Sequence, residues 1–254
     1  MKNIFDDDTL RYHGIGENIL KFIFILKDGI LCANSLEHKP YYARNYGGFN
    51  KDEAVSICYP INGSRTTYGA FQIYIKKGGL SFVLKDVKES LLIFTGHKSG
   101  FADEELYIGN ISPNNIVGII VNSQLLNKKI SELNLLKNMG YGYINNTFLQ
   151  TIRYLKSDGM NNIITEEQMQ ELFDKTDQLM HKAFLNFHLE QQIILELSQI
   201  LSPYLAQYFE QKYGITTVVE FLQMFNKNNL PIYDENGEIL DINNIKVTNN
   251  NLKR

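Results

Sequence analysis

The sequence predicts an α+β fold: short strands with two early helices up to about residue 127, then a mostly helical unit over 128–254. Three observations carry this. Up to about residue 125 the apolar residues fall in brief β-like runs separated by turn residues, and from 128 onward their spacing becomes helical. Charge changes with texture: residues 1–160 hold 18 Lys/Arg against 15 Asp/Glu, residues 161–245 hold 4 against 13, and the last nine hold 3 against none. With 254 residues and 44% hydrophobic content, the chain is long enough to bury one large core or two small ones.

The first element is the strand "LRYHG", whose period-two alternation puts Arg11 and His13 on one face and Tyr12 on the other. A helix follows, with Ile19, Phe22, Ile23 and Leu26 in an i, i+3, i+4, i+7 stripe and Gly29 at the position of a C-terminal glycine. After a loop comes the strand "AVSICYP", then a second helix in which Tyr68, Phe71 and Ile75 share a face before Gly78 and Gly79. The runs "LSFVLK", "SLLIFTG", "ELYIGN" and "IVGIIV" supply four further strands.

In the second half, Thr165 and Gln168 have capping-box spacing at the head of a helix lined by Met169, Leu172, Phe173, Leu179, Met180 and Ala183. Another helix spans roughly 189–212, interrupted or bent at Pro203. From 160 to 245 the expectation is an all-helical unit with an acidic exposed face, suited to a basic partner or to covering the first domain. No linker and no repeat at solenoid periods separates the parts.

Composition removes several function classes. The net charge of −3 and the modest +3 of residues 1–160 (18 less 15) give no basic field for nucleic acid, so no nucleic-acid partner is expected. No apolar run reaches membrane-spanning length, and "MKNIFDDDTLRYHG" has acidic residues where a secretory signal needs an apolar core. A soluble protein follows, resident in a bacterial cytoplasm or delivered into a host cell without a cleavable signal. The abundance of Asn, Ile, Lys and Tyr suits an AT-rich bacterial genome. Cys32 and Cys58 read as reduced, buried thiols.

Other chemistries lack their patterns. Gly14-x-Gly16 has neither the third glycine nor the parallel context of a dinucleotide fingerprint, and no Walker A motif is present. His181 and His188, seven apart on one helix, lack metal-pair spacing and acidic company, so no metal is expected and both read as helix packing. No sequence context joins Cys58 and His97 into a catalytic pair.

Three stretches resemble the ADP-ribosyltransferases. "RYHG" followed by an amphipathic helix and "DGIL" is similar to their opening, in which a first strand bearing Arg or His meets NAD. "NYGGFNKDEAVSICYP" resembles the approach to their second conserved strand, with Ser56 where the family has the first serine of a Ser-Thr-Ser motif; Ile57 and Cys58 depart from it. "SGFADEELYIGNISPNNIVGIIV" is similar to their last motif, with Asp103, Glu104 and Glu105 on the turn before an apolar strand. Asp103 stands where the family usually has Glu or Gln, which leaves the acceptor residue type open. The resemblance spans residues 10 to about 121.

It implies a split β-sandwich over residues 1–127, NAD as substrate, and mono-ADP-ribosylation of a protein, such as one of a host cell. Glu105 would be the catalytic carboxylate, with Asp103 facing the acceptor and Ser56 supporting Glu105. Arg11, His13, Gly14 and Tyr68 would meet NAD, Arg11 through the pyrophosphate and Tyr68 by stacking on the nicotinamide. An oxocarbenium-like transition state calls for such a carboxylate beside the ribose. Two other readings are an inactive NAD-fold binding module and an RNA 2′-phosphotransferase-like enzyme.

Overall fold

The computed structural model describes residues 3–32, 35, 54–58, 78–87, 91–93, 104–136, 151–156, 164–185, 190–226 and 229–245. The described strands are β1 (Arg11–Gly16), β2 (Ala54–Cys58), β3 (Leu80–Leu84), β4 (Leu91–Ile93), β5 (Glu104–Ile108), β6 (Ile116–Val121), β7 (Ile232–Tyr233) and β8 (Ile239–Leu240). All six strands expected from the sequence are present. They join in one sheet of order β4-β5-β2-β1-β3-β6-β7-β8, antiparallel except where β6 meets β7. The architecture is thus mixed α+β. The described strands form one hydrogen-bonded sheet, where the split sandwich expected from the resemblance has two.

The longer helices are α1 (Ile19–Asp28), α2 (Glu166–Leu185), α3 (Glu190–Tyr213) and α4 (Val218–Phe225); residues 151–156 and the short segment Ser123–Leu126 are also helical. The second early helix expected around Tyr68 lies outside the described residues. β7 and β8 fall inside the stretch read as all-helical. Each is two residues long, too short to leave a periodic signal; β7 forms on the edge that β6 offers and β8 adds to β7.

The sheet is covered on both faces. On one, Phe82 of β3 stacks on Phe22 of α1 with ring centroids 5.0 Å apart, and Phe22 meets Phe221 of α4 at 5.3 Å. This apolar cluster takes in residues on both sides of position 127. On the other face a smaller cluster of Ile4, Phe5, Leu10, Tyr12, Val83 and Ile120 is roofed by the N-terminal segment. Two-sided cover explains why β3 reads "LSFVL", apolar without full alternation, and is buried at all five positions.

The buried face of α1 is broader than its sequence stripe and turned from it, with Ile23 and Leu26 of the stripe only half-buried. Leu20, Phe24 and Ile25 are buried along with Ile19 and Phe22, because the helix is packed between the sheet and later helices, with Phe24 against Tyr154. Gly29 ends it at φ +83°, its N–H returning to the Ile25 carbonyl. The expected cap of α2 is present: Gln168 N donates to Thr165 Oγ1 at 3.1 Å and Thr165 N donates to Gln168 Oε1 at 3.0 Å. α3 runs through Pro203 without interruption. Pro203 lies on the exposed side, where the carbonyl one turn back can turn to water.

A buried polar chain ties β1 to the helices. Glu17, fully buried directly after β1, accepts from Lys128 Nζ at 3.0 Å and from Asn134 N at 2.8 Å. Asn134 Oδ1 in turn accepts from Ser198 Oγ of α3 at 2.6 Å, and the same hydroxyl receives Leu136 N at 3.2 Å. Ser202, one turn on, donates to the Leu133 carbonyl.

Three measurements test this description. Glu17→Ala should cost about 1–3 kcal/mol, since it leaves the Asn134 N–H without its acceptor in a buried site, whereas the part-exposed Lys128 ammonium can turn to water; chemical denaturation of both proteins measures it. Gly29→Ala should cost more than about 1–2 kcal/mol, the price of positive φ for an alanine, because its Cβ would also collide with the Ile111 carbonyl oxygen. The same denaturation experiment reads it.

The third concerns pH. Lys21 of α1 keeps part of its surface accessible, yet the protein packed round its ammonium lowers it from 10.5 to about 8. Between those values the unfolded chain binds more protons than the folded one, so this group makes stability rise with pH from about 8. Above about pH 10 the sign reverses, as Tyr12 and Tyr233, held above the usual tyrosine range chiefly by burial, ionise first in the unfolded chain. Lys21→Met should therefore melt higher at neutral pH and lose the rise between pH 8 and 10, in thermal melts taken across that range.

Candidate functional site

Strand order brings the sequence motifs together. β5, carrying Glu104 and Glu105, lies beside β2, which lies beside β1 with Arg11, His13 and Gly14. Residues far apart in the chain thus occupy three successive strands. β1 and β5 are two strand spacings apart, roughly 10 Å.

Register decides which positions share a face. Val83, Tyr12, Cys58 and Glu104 form one row across β3, β1, β2 and β5. One step along, Phe82 pairs with His13, while Ile57 pairs with Glu105 and Glu105 with Ile93. By the two-residue period of a strand, Glu105 has the same parity as His13 and Arg11, and Glu104 the parity of Tyr12. Ser56 pairs with Leu106 and so falls on the Tyr12 side. The support of Glu105 by Ser56, expected from the sequence, is therefore not what the register provides: the two positions alternate across the pleat.

Among the described residues, β1 and β2 pair at a single position, Tyr12↔Cys58. Beyond it His13, Gly14 and Gly16 continue their ladder with β3, and Ile57 back to Ala54 continue theirs with β5. The sheet thus parts between β1 and β2 at the level of His13 and Gly14.

Tyr12 anchors this point. It is fully buried, with its ring 5.9 Å from Phe5 and its hydroxyl donating to the Ile4 carbonyl at 3.2 Å. Burial, and after it the nearby Asp7 carboxylate and Tyr233, hold its phenol well above the usual range, so it stays protonated and acts as a structural pin. His13 and Gly14 on the same strand are half-buried. Arg11 is also half-buried, and its Nη1 donates to the Asp8 carbonyl at 2.7 Å and the Leu10 carbonyl at 2.9 Å. Part of the guanidinium expected to meet a pyrophosphate is thus committed to its own backbone.

Asp103 and Tyr68 lie outside the described residues, as do His97 and His188. His181 is on the exposed side of α2, which corrects the reading of it as a packing residue. Among the described residues no group of three His, Cys, Asp or Glu side chains is placed to hold a metal, and no helix is long and apolar enough to cross a membrane.

Two groups were not singled out by sequence. Glu17 reads there as an ordinary acid ahead of a helix, and its partners lie more than a hundred residues away. Lys21 reads as a solvent-side lysine; the signal against that was the nearly unbroken apolar run "ILKFIFIL", which marks a helix covered on most sides.

No protein-family model matches this chain, and no match is found among the curated proteins or the solved structures.

Proposed function

We propose that the protein is an NAD-dependent mono-ADP-ribosyltransferase that modifies a protein, with the parting between β1 and β2 as its NAD cleft. The observation that carries the reading is the shared parity of His13 and Glu105 across the strand order β5-β2-β1, beside the single pair Tyr12↔Cys58. A ligand lying between these strands would have a histidine and strand backbone on one side and a carboxylate on the other. Glycosidic cleavage of NAD calls for such a carboxylate beside the ribose.

Glu105 would stabilise the positive charge that develops on the ribose as nicotinamide leaves, and would accept a hydrogen bond from a ribose hydroxyl. His13 would donate to the ribose, and the glycine at 14 would let the ligand approach the backbone closely. With its Nη1 held by the chain, Arg11 serves more to fix the start of β1 than to grip phosphate. Asp103, two residues before Glu105, is the position toward the acceptor, and the acidic surface of α2 suits a basic protein substrate.

Glu105→Gln should lower label transfer from NAD to lysate protein by roughly 100- to 1000-fold while leaving thermal melting and NAD binding near wild type. Glu104→Gln, with the parity of Tyr12, should transfer as wild type does. Loss of transfer in Glu104→Gln with activity retained in Glu105→Gln would mean that the carboxylate is one residue off. Label appearing on RNA, or on nothing, would sink the protein-transferase reading.

A further inference from the structure

The turn between β7 and β8 carries an asparagine followed by glycine, at Asn236 and Gly237. Asp234 organises it: its Oδ1 accepts from Asn236 N at 2.8 Å and from Glu238 N at 2.9 Å, and its Oδ2 accepts from Asn236 Nδ2 at 3.3 Å. Gly237 N donates to the Asp234 carbonyl at 3.1 Å. Asn236 is exposed, and its carbonyl accepts from Asn3 Nδ2 at 2.6 Å. Position 237 must be glycine: its φ is +80°, and a Cβ there would strike Asn3, Ile4 and Phe5.

A glycine nitrogen has no side chain beside it to block attack on the preceding asparagine. We propose that Asn236–Gly237 is a site of spontaneous deamidation whose rate is set by opening of the β7–β8 turn. The nitrogen of Gly237 bonds to Cγ of Asn236, the Cγ–Nδ2 bond breaks, and ammonia leaves with the proton released from the Gly237 nitrogen. Water then opens the succinimide ring to aspartate or isoaspartate at position 236. The sequence of steps is a substitution followed by hydrolysis, with no change of oxidation state.

In the closed turn both reacting groups are engaged, the Gly237 N–H by the Asp234 carbonyl and the Asn236 amide by the Asp234 carboxylate. Reaction therefore waits on local opening. The product adds a carboxylate to a segment already bearing Asp234, Glu235 and Glu238, and isoaspartate lengthens the main chain where Asn3 holds it. Conversion thus loosens the sheet edge and the N-terminal segment together.

The test is incubation of the full chain at mildly alkaline pH, native and in urea, followed by peptide mapping with isoaspartate detection. Asn62–Gly63, the other Asn–Gly pair of the sequence, is the internal reference in urea. Both should convert at similar rates in urea, whereas in native buffer Asn236 should convert roughly tenfold more slowly. Asp234→Ala, with its melting transition retained, should recover most of that rate. Equal native and urea rates at Asn236 would overturn the proposal. So would conversion of Asn62 without Asn236 in urea, or a native rate that Asp234→Ala leaves unchanged.

Discussion

A single buried carboxylate fixes where the central strand ends. Glu17 has no access to water, and its charge is met by Lys128 and by a backbone N–H of the segment that is hydrogen-bonded to α3. Removing a carboxylate from water costs several kcal/mol, so it is tolerated only where its partners are in place. That requirement couples the exit of β1 to residues 128–136 and, through Asn134 and Ser198, to α3. Packing alone would not be so particular, since one apolar contact can slide where an ion pair with a second donor cannot.

With β1 held at that end by Glu17 and near its start by Tyr12, the strand has little freedom to shift register. A shift of one residue would bring Arg11 and His13 to the face roofed by Ile4, Phe5 and Leu10, and would expel Tyr12. The burial of Tyr12 therefore defines the side on which His13 stands. The chemistry suggested for the site depends on this more than on any contact the histidine makes itself.

Much of the fold was legible because local pattern and tertiary environment agree. The strands of the first half are short runs rich in Val, Ile, Leu and Tyr between turn residues, and such runs pair wherever a partner edge is offered. Gly29 and the Thr165–Gln168 cap are local signals of helix ends, and local signals need no knowledge of the rest of the chain. β7 and β8 were hidden because two residues cannot show a period and because β6, the strand on which β7 forms before β8 adds to it, is more than a hundred residues earlier. The same distance hid the partners of Glu17. At the candidate site, the motifs named Arg11, His13 and the Asp103–Glu105 run, but sequence alone could not say which strand lies beside which. Parity then follows from pairing, and it separates Glu105 from Glu104 and also sets Ser56 apart from Glu105.

β3 lies under two coverings, one made by α1 and the helices behind it and the other by Ile4, Phe5 and Leu10. Its backbone is consequently shielded from solvent on both faces and hydrogen-bonded to β1 and β6 along both edges. Fraying of either covering leaves the other in place. The amide protons of Phe82 and Val83 can then meet solvent deuterium only when the whole sheet comes apart, which makes their exchange rate a direct gauge of the free energy of global unfolding.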